Sequence, residues 1–131
     1  GISIDELKAA IPCGIGKINV DTDIRLAVTR NMKEFFKNNP SKRDSASIGG
    51  VYQLLEEKKD QFDPRAFLPP IMDTVMYGTI KYDDTAALVE VIEKGVKEAI
   101  GTLIVEFGSF GKAPLVEQIS LEEMIERYKK M

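Results

Sequence analysis

"GKINVDTDIRLAVTR", residues 16–30, decides how this chain is read. Ile18 and Val20 alternate with Lys17, Asn19 and Asp21, the two-residue period that a strand imposes on its faces. From Thr22 the spacing changes. Leu26, Ala27, Val28, Met32, Phe35 and Phe36 form a broad apolar stripe that predicts a helix down to Asn38. The junction between the two patterns is polar, with Asn19, Asp21, Thr22, Asp23 and Arg25 close together. A strand that runs straight into a helix brings free backbone N–H groups and the positive end of a helix dipole to one spot. That combination suits an anion. Asp21, Thr22 and Asp23 equally suit plain helix capping. Asn19 does not, because a cap has no use for an amide inside the preceding strand.

The rest of the chain reads as almost wholly helical. Ser3-Ile4-Asp5-Glu6 has the form of a capping box and predicts a short helix over 4–10, ended by Ile11-Pro12-Cys13-Gly14. "NNPSKRDSAS" is a loop by composition. "GGVYQLLEEKKDQF" is a second helical block, with Val51, Leu54 and Leu55 on one side and a solvated charge run, Glu56 to Asp60, on the other. "DPRAFLPP" predicts turns and short helix starts.

Residues 83–105 carry the longest amphipathic pattern, and Gly95 and Gly101 within it predict close neighbours at both points. "TLIVEF" fits either a helix or a strand, since periodicity does not separate them. "FGSFGKAP" is a glycine-rich turn, and Ser120-Leu121-Glu122-Glu123 opens a terminal helix through about Tyr128. A solitary buried strand leaves its backbone groups unpaired at about 1–3 kcal/mol each. Residues 16–20 therefore call for a sheet that this sequence hardly contains, so the chain is expected to be a piece of something larger.

Composition narrows the function. The 131 residues carry 18 lysines and arginines against 21 acids, a net charge of -3, which gives no footprint for nucleic acid. No apolar run approaches the roughly 18 residues of a membrane span, and "GISIDELKAA" lacks signal-peptide character. The single Cys13 precludes an internal disulfide and fits a cytoplasmic location. Histidine is absent altogether, which removes the commonest zinc ligand and general base.

Several motifs, in order along the chain, resemble the class II, metal-dependent fructose-1,6-bisphosphate aldolases and their ketose-bisphosphate relatives. "KINVDTD", Lys17 to Asp23, is similar to that family's strand-exit signature. "FDPRAFL", residues 62–68, resembles its "DPR" element, and "FGSFGKA" with "SLEEMIERY" resembles the tail of its longer members.

The resemblance implies an α/β fold class: the last strand–helix unit of a TIM (β/α)8 barrel, incomplete in this chain, plus a mostly helical C-terminal extension. The corresponding divisions are residues 1–39 for the final barrel helix–strand–helix segment, 40–62 for a loop and helical insert, and 63–131 for the extension and oligomer contact. In such a barrel the chemistry sits at the C-terminal ends of the strands, where Asn19 and Asp21 would look into the catalytic mouth.

The implied site follows residue by residue. Asn19 would contact the reacting part of the substrate, and Asp21 would position the sugar chain. Thr22 would help bind a phosphate at the helix start, and Arg25 would approach the other phosphate. Arg65 would reach a phosphate across a dimer interface, and arginine forks suit phosphate oxygens. Zinc is implied for the complete enzyme, with its ligands outside this chain. The implied reaction is reversible cleavage of fructose 1,6-bisphosphate to dihydroxyacetone phosphate and glyceraldehyde 3-phosphate. The implied partners are the N-terminal remainder of the barrel, a phosphorylated sugar and other subunits in a dimer or tetramer. Without the metal ligands this chain alone is expected to be inactive. Two other readings stand beside this one: a tagatose-bisphosphate aldolase segment, and a non-catalytic helical assembly module. Residues 41–61 and 76–103 are not matched by the family pattern.

Overall fold

The computed structural model describes residues 2–116 and 118–130. Among these residues six α-helices run in the order α1 (Ile4–Ala10), α2 (Thr22–Asn38), α3 (Gly49–Glu57), α4 (Met72–Tyr77), α5 (Asp83–Glu106) and α6 (Leu121–Lys129). Short 3-10 turns lie between them at Ile11–Cys13, Pro40–Lys42, Pro64–Ala66, Pro69–Ile71 and Ala113–Leu115.

Among the described residues there is no strand, so the expected α/β class and barrel unit are corrected to an all-helical fold. The physical reason lies in pairing: a strand exists through hydrogen bonds to a neighbour, and residues 15–20 have no such backbone bond among the described residues. What persists is the alternation of faces. Ile18 and Val20 are half-buried, while Lys17, Asn19 and Asp21 are exposed. Residues 15–20 are thus an irregular lead-in to α2 rather than a stave.

The core is built where α2 packs along α5, the most extensive contact between elements. Val28, Met32 and Phe36 from α2 meet Leu88 from α5, Val51 and Leu55 from α3, and Ile48, Phe67, Leu68 and Ile71 from the connections. "TLIVEF" resolves as the last turns of α5, consistent with an amphipathic pattern already running for five turns. The helix over "GGVYQLLEEKKDQF" stops at Glu57, so the charge run is solvated but only its first two residues are helical. Neither α1 nor α6 contains a buried residue. Ser3 and Glu6 form the reciprocal capping box at α1, and Ser120 accepts from the Glu123 amide at α6.

The glycines of α5 divide. A Cβ at Gly95 would lie 3.1 Å from the Ala27 carbonyl oxygen and 3.0 Å from Asn31 Nδ2, so α2 approaches α5 closely there. At Gly101 nothing lies within 4 Å, and the expected neighbour is absent among the described residues. The two alanine substitutions should therefore move in opposite directions. Gly101→Ala should gain up to about 1 kcal/mol from helix propensity. Gly95→Ala should lose about 1–2 kcal/mol net, because overpacking against a helix backbone outweighs that gain. Urea unfolding followed by circular dichroism reads both.

Candidate functional site

The N-terminus of α2 and the "DPR" turn meet although about forty residues separate them in sequence. The meeting is fixed by buried structure. Thr29, on α2 and 4% exposed, donates its hydroxyl to the Phe62 carbonyl at 2.7 Å. On the other side of the turn Phe67 is fully buried and Leu68 nearly so. The turn itself starts at Asp63, whose carboxylate accepts from the Arg65 amide at 3.0 Å with Pro64 following, an aspartate–proline turn start.

Two arginines share the Asp63 carboxylate. Arg25 Nη1 donates to Asp63 Oδ2 at 2.8 Å, and Arg65 donates through Nε at 3.0 Å and through Nη2. The remaining donors of Arg25 turn to Asp21, with Nε on Oδ1 at 2.8 Å and Nη2 on Oδ2. The result is a continuous chain, Asp21–Arg25–Asp63–Arg65, of alternating charge.

Exposure separates its members. Arg25 and Asp63 are largely covered, with side chains 29% and 21% exposed, whereas Asp21 and Arg65 are about two-thirds exposed. Each of the three Arg25 guanidinium nitrogens thus donates to a carboxylate. Arg65 Nη1 makes no hydrogen bond among the described residues, on a side chain that is 68% exposed.

This environment acts on the titrating groups. The Arg65 side-chain hydrogen bonds hold the Asp63 carboxyl well below the usual carboxylate range. Desolvation opposes them, while the Arg65 amide and the Arg25 charge add to the lowering. Asp63 in return raises Arg65. Because the folded Asp63 pKa lies below its unfolded value, its contribution to stability is fully present above about pH 4. That contribution is lost as pH falls through the lower folded value. Asp63→Asn should accordingly flatten the acid limb of the stability–pH curve, which denaturant midpoints measured from pH 5 downward would show.

The expected site residues fall into three groups. Asp21, Arg25 and Arg65 are brought into the one cluster. Thr22 is exposed at the first turn of α2. Asp21 occupies the N-cap position but makes no side-chain cap hydrogen bond, so the capping expected of it does not occur and the first amides of α2 lack that side-chain partner. Asn19 is exposed and makes no side-chain hydrogen bond among the described residues. Asp63 and Thr29 were not among the residues expected from the sequence. Asp63 was legible, since an aspartate before proline begins a turn and its carboxylate then faces the turn's own amides. Thr29 was not, because its role depends on a carbonyl 33 residues away.

The donor set does not fit a zinc ion: the sequence has no histidine and one cysteine, and no group of three acidic or cysteine side chains converges among the described residues. No described helix is long and apolar enough to cross a membrane.

Comparison with known proteins gives the class. The family model "Fructose-bisphosphate aldolase class-II" matches residues 1–112. The chain belongs to the class II fructose-bisphosphate aldolase family.

Among its relatives, the fructose-bisphosphate aldolase of Nostoc sp. is 28% identical over 99% of this chain and 25% of the relative. That of Stutzerimonas stutzeri is 30% identical over 98% of this chain and 25% of the relative. Fructose-bisphosphate aldolase 2 of Rhodobacter capsulatus is 24% identical over 98% of this chain and 77% of its own length. The chain thus spans about a quarter of the length of the first two. No solved structure matches it.

Proposed function

We propose that this chain supplies substrate and phosphate contacts to a zinc-dependent aldolase. The reaction is reversible cleavage of fructose 1,6-bisphosphate into dihydroxyacetone phosphate and glyceraldehyde 3-phosphate in the cytoplasm. The observation that supports this best is the meeting of the "KINVDTD" and "DPR" segments, which places Arg65 beside the start of α2. A phosphate at the helix start finds its amides and the Thr22 hydroxyl, and the open edge of Arg65 serves a phosphate across a subunit contact. All three guanidinium nitrogens of Arg25 already donate to carboxylates, so its part is to hold Asp21 and Asp63. Asn19 and Asp21 serve the sugar chain.

In this reading the metal ligands and the rest of the catalytic machinery are supplied by further polypeptide. The chain alone is inactive. Mixing it with a polypeptide that carries the family's histidines should restore zinc-dependent cleavage, followed by coupled triose phosphate oxidation. Failure to restore cleavage while the two parts bind each other would count against the reading.

A second contribution, to subunit assembly, rests on α6. Leu121, Met124, Ile125 and Tyr128 follow helical spacing on one face and are all exposed. Tagatose bisphosphate is the alternative substrate, and side-by-side cleavage of the two epimers by the assembled enzyme decides between them.

A further inference from the structure

We infer that Asp63 is a positioning residue: it fixes the Arg65 guanidinium so that its free edge faces an incoming phosphate. This deepens the proposed function and rests on it. The geometry carries the argument. Asp63 takes the Nε and Nη2 donors of Arg65 and also the backbone amide of the same residue. A guanidinium held at two nitrogens, on a residue whose backbone amide bonds the same carboxylate, is left with one orientation, and its Nη1 edge is the part not engaged. Arg65 is otherwise 68% exposed, so without Asp63 its long side chain would sweep many rotamers.

Asp63 is itself immobilised. Arg25 holds it from α2 at 2.8 Å, and the preceding carbonyl is pinned by Thr29 at 2.7 Å. The arrangement is a support for a surface arginine built on a buried threonine and a helix, which a mere turn would not require. Asp63 touches no substrate in this account; it acts through Arg65, by setting its orientation before the phosphate arrives.

The test uses the aldolase that contains this chain, with fructose 1,6-bisphosphate as the varied substrate. Asp63→Asn removes a carboxylate without changing shape. It should raise KM about tenfold, the scale of a lost preorganised charge-assisted contact, while kcat changes less than twofold. Asp63→Glu, which keeps the carboxylate, should recover most of that loss. Combined with Arg65→Ala, Asp63→Asn should add nothing further.

An unchanged KM for Asp63→Asn, or effects that add in the double variant, would overturn the positioning role. Arg65→Ala alone separates this failure from that of the wider reading. If it leaves KM unchanged, Arg65 does not bind phosphate. If it raises KM while Asp63→Asn does not, only the positioning role is lost. Should Asp63→Asn fail to fold, the Arg65 Nε–H resonance of the unsubstituted protein decides: slow exchange supports the role, and exchange as fast as in a free arginine overturns it.

Discussion

Phe36→Ala is expected to cost about 3–5 kcal/mol of unfolding free energy. Phe36 is 1% exposed and sits where three helices converge. Its ring meets Phe35 edge-on, with centroids 5.3 Å apart, and Tyr52 at the same distance in a tilted arrangement. Tyr52 in turn lies under the Arg43 guanidinium, 5.3 Å from its ring centroid, and Arg43 Nε donates to the Phe36 carbonyl at 3.1 Å. Truncation therefore opens a cavity and also loosens the aromatic stack that fixes the loop before α3.

The ring's neighbours belong to helices and cannot collapse fully into the gap, which puts the cost in the upper part of the large-to-small range. A domain holding about 5–15 kcal/mol in total would lose much of its stability. Phe110→Ala is the internal control: that ring is 77% exposed, and its removal should stay within about 0.5 kcal/mol. Denaturant unfolding of the two variants side by side is the measurement. Comparable losses in both would mean that the core does not run through α2 and α3 as described.

The helices were legible because their signals are local. The capping box at Ser3 and the apolar stripes of α2 and α5 were read from spacing alone, and the prolines after Asp63 and Leu68 placed the short turns. The expected strand is absent because period-two alternation reports which side chains are covered, not whether the backbone is paired. Ile18 and Val20 are half-buried as the alternation implies, yet no neighbour among the described residues pairs with their backbone. Gly101 misled for a related reason: a glycine in a helix is consistent with a close neighbour but does not create one, and only Gly95 has one.

The site was partly legible. Asp21, Arg25 and Arg65 were singled out by the motifs that carry them, but the link through Asp63 joins residues 38 positions apart. Nothing in either segment alone announces the other.

Asn19→Ala should divide stability from turnover more sharply than any other single change in this chain. Asn19 lies in the irregular lead-in to α2, is exposed, and makes no side-chain hydrogen bond among the described residues. Removing its amide should therefore leave the unfolding free energy within about 0.5 kcal/mol. If the proposed function holds, the same change in the assembled enzyme removes a preorganised hydrogen-bonding group from the reacting part of the substrate. Losses of that kind run to about 100-fold or more in kcat.

The contrast is informative because the usual confusion between a damaged fold and a damaged site does not arise at this position. Lys17→Ala provides the comparison, since Lys17 is exposed in the same segment and has no assigned role. Steady-state cleavage of fructose 1,6-bisphosphate together with thermal unfolding of each variant supplies both readings. A selective fall in kcat for Asn19→Ala places the amide at the reacting centre. Equal kcat values for the two variants would remove Asn19 from the site and leave α2 and the "DPR" turn as this chain's contribution to substrate binding.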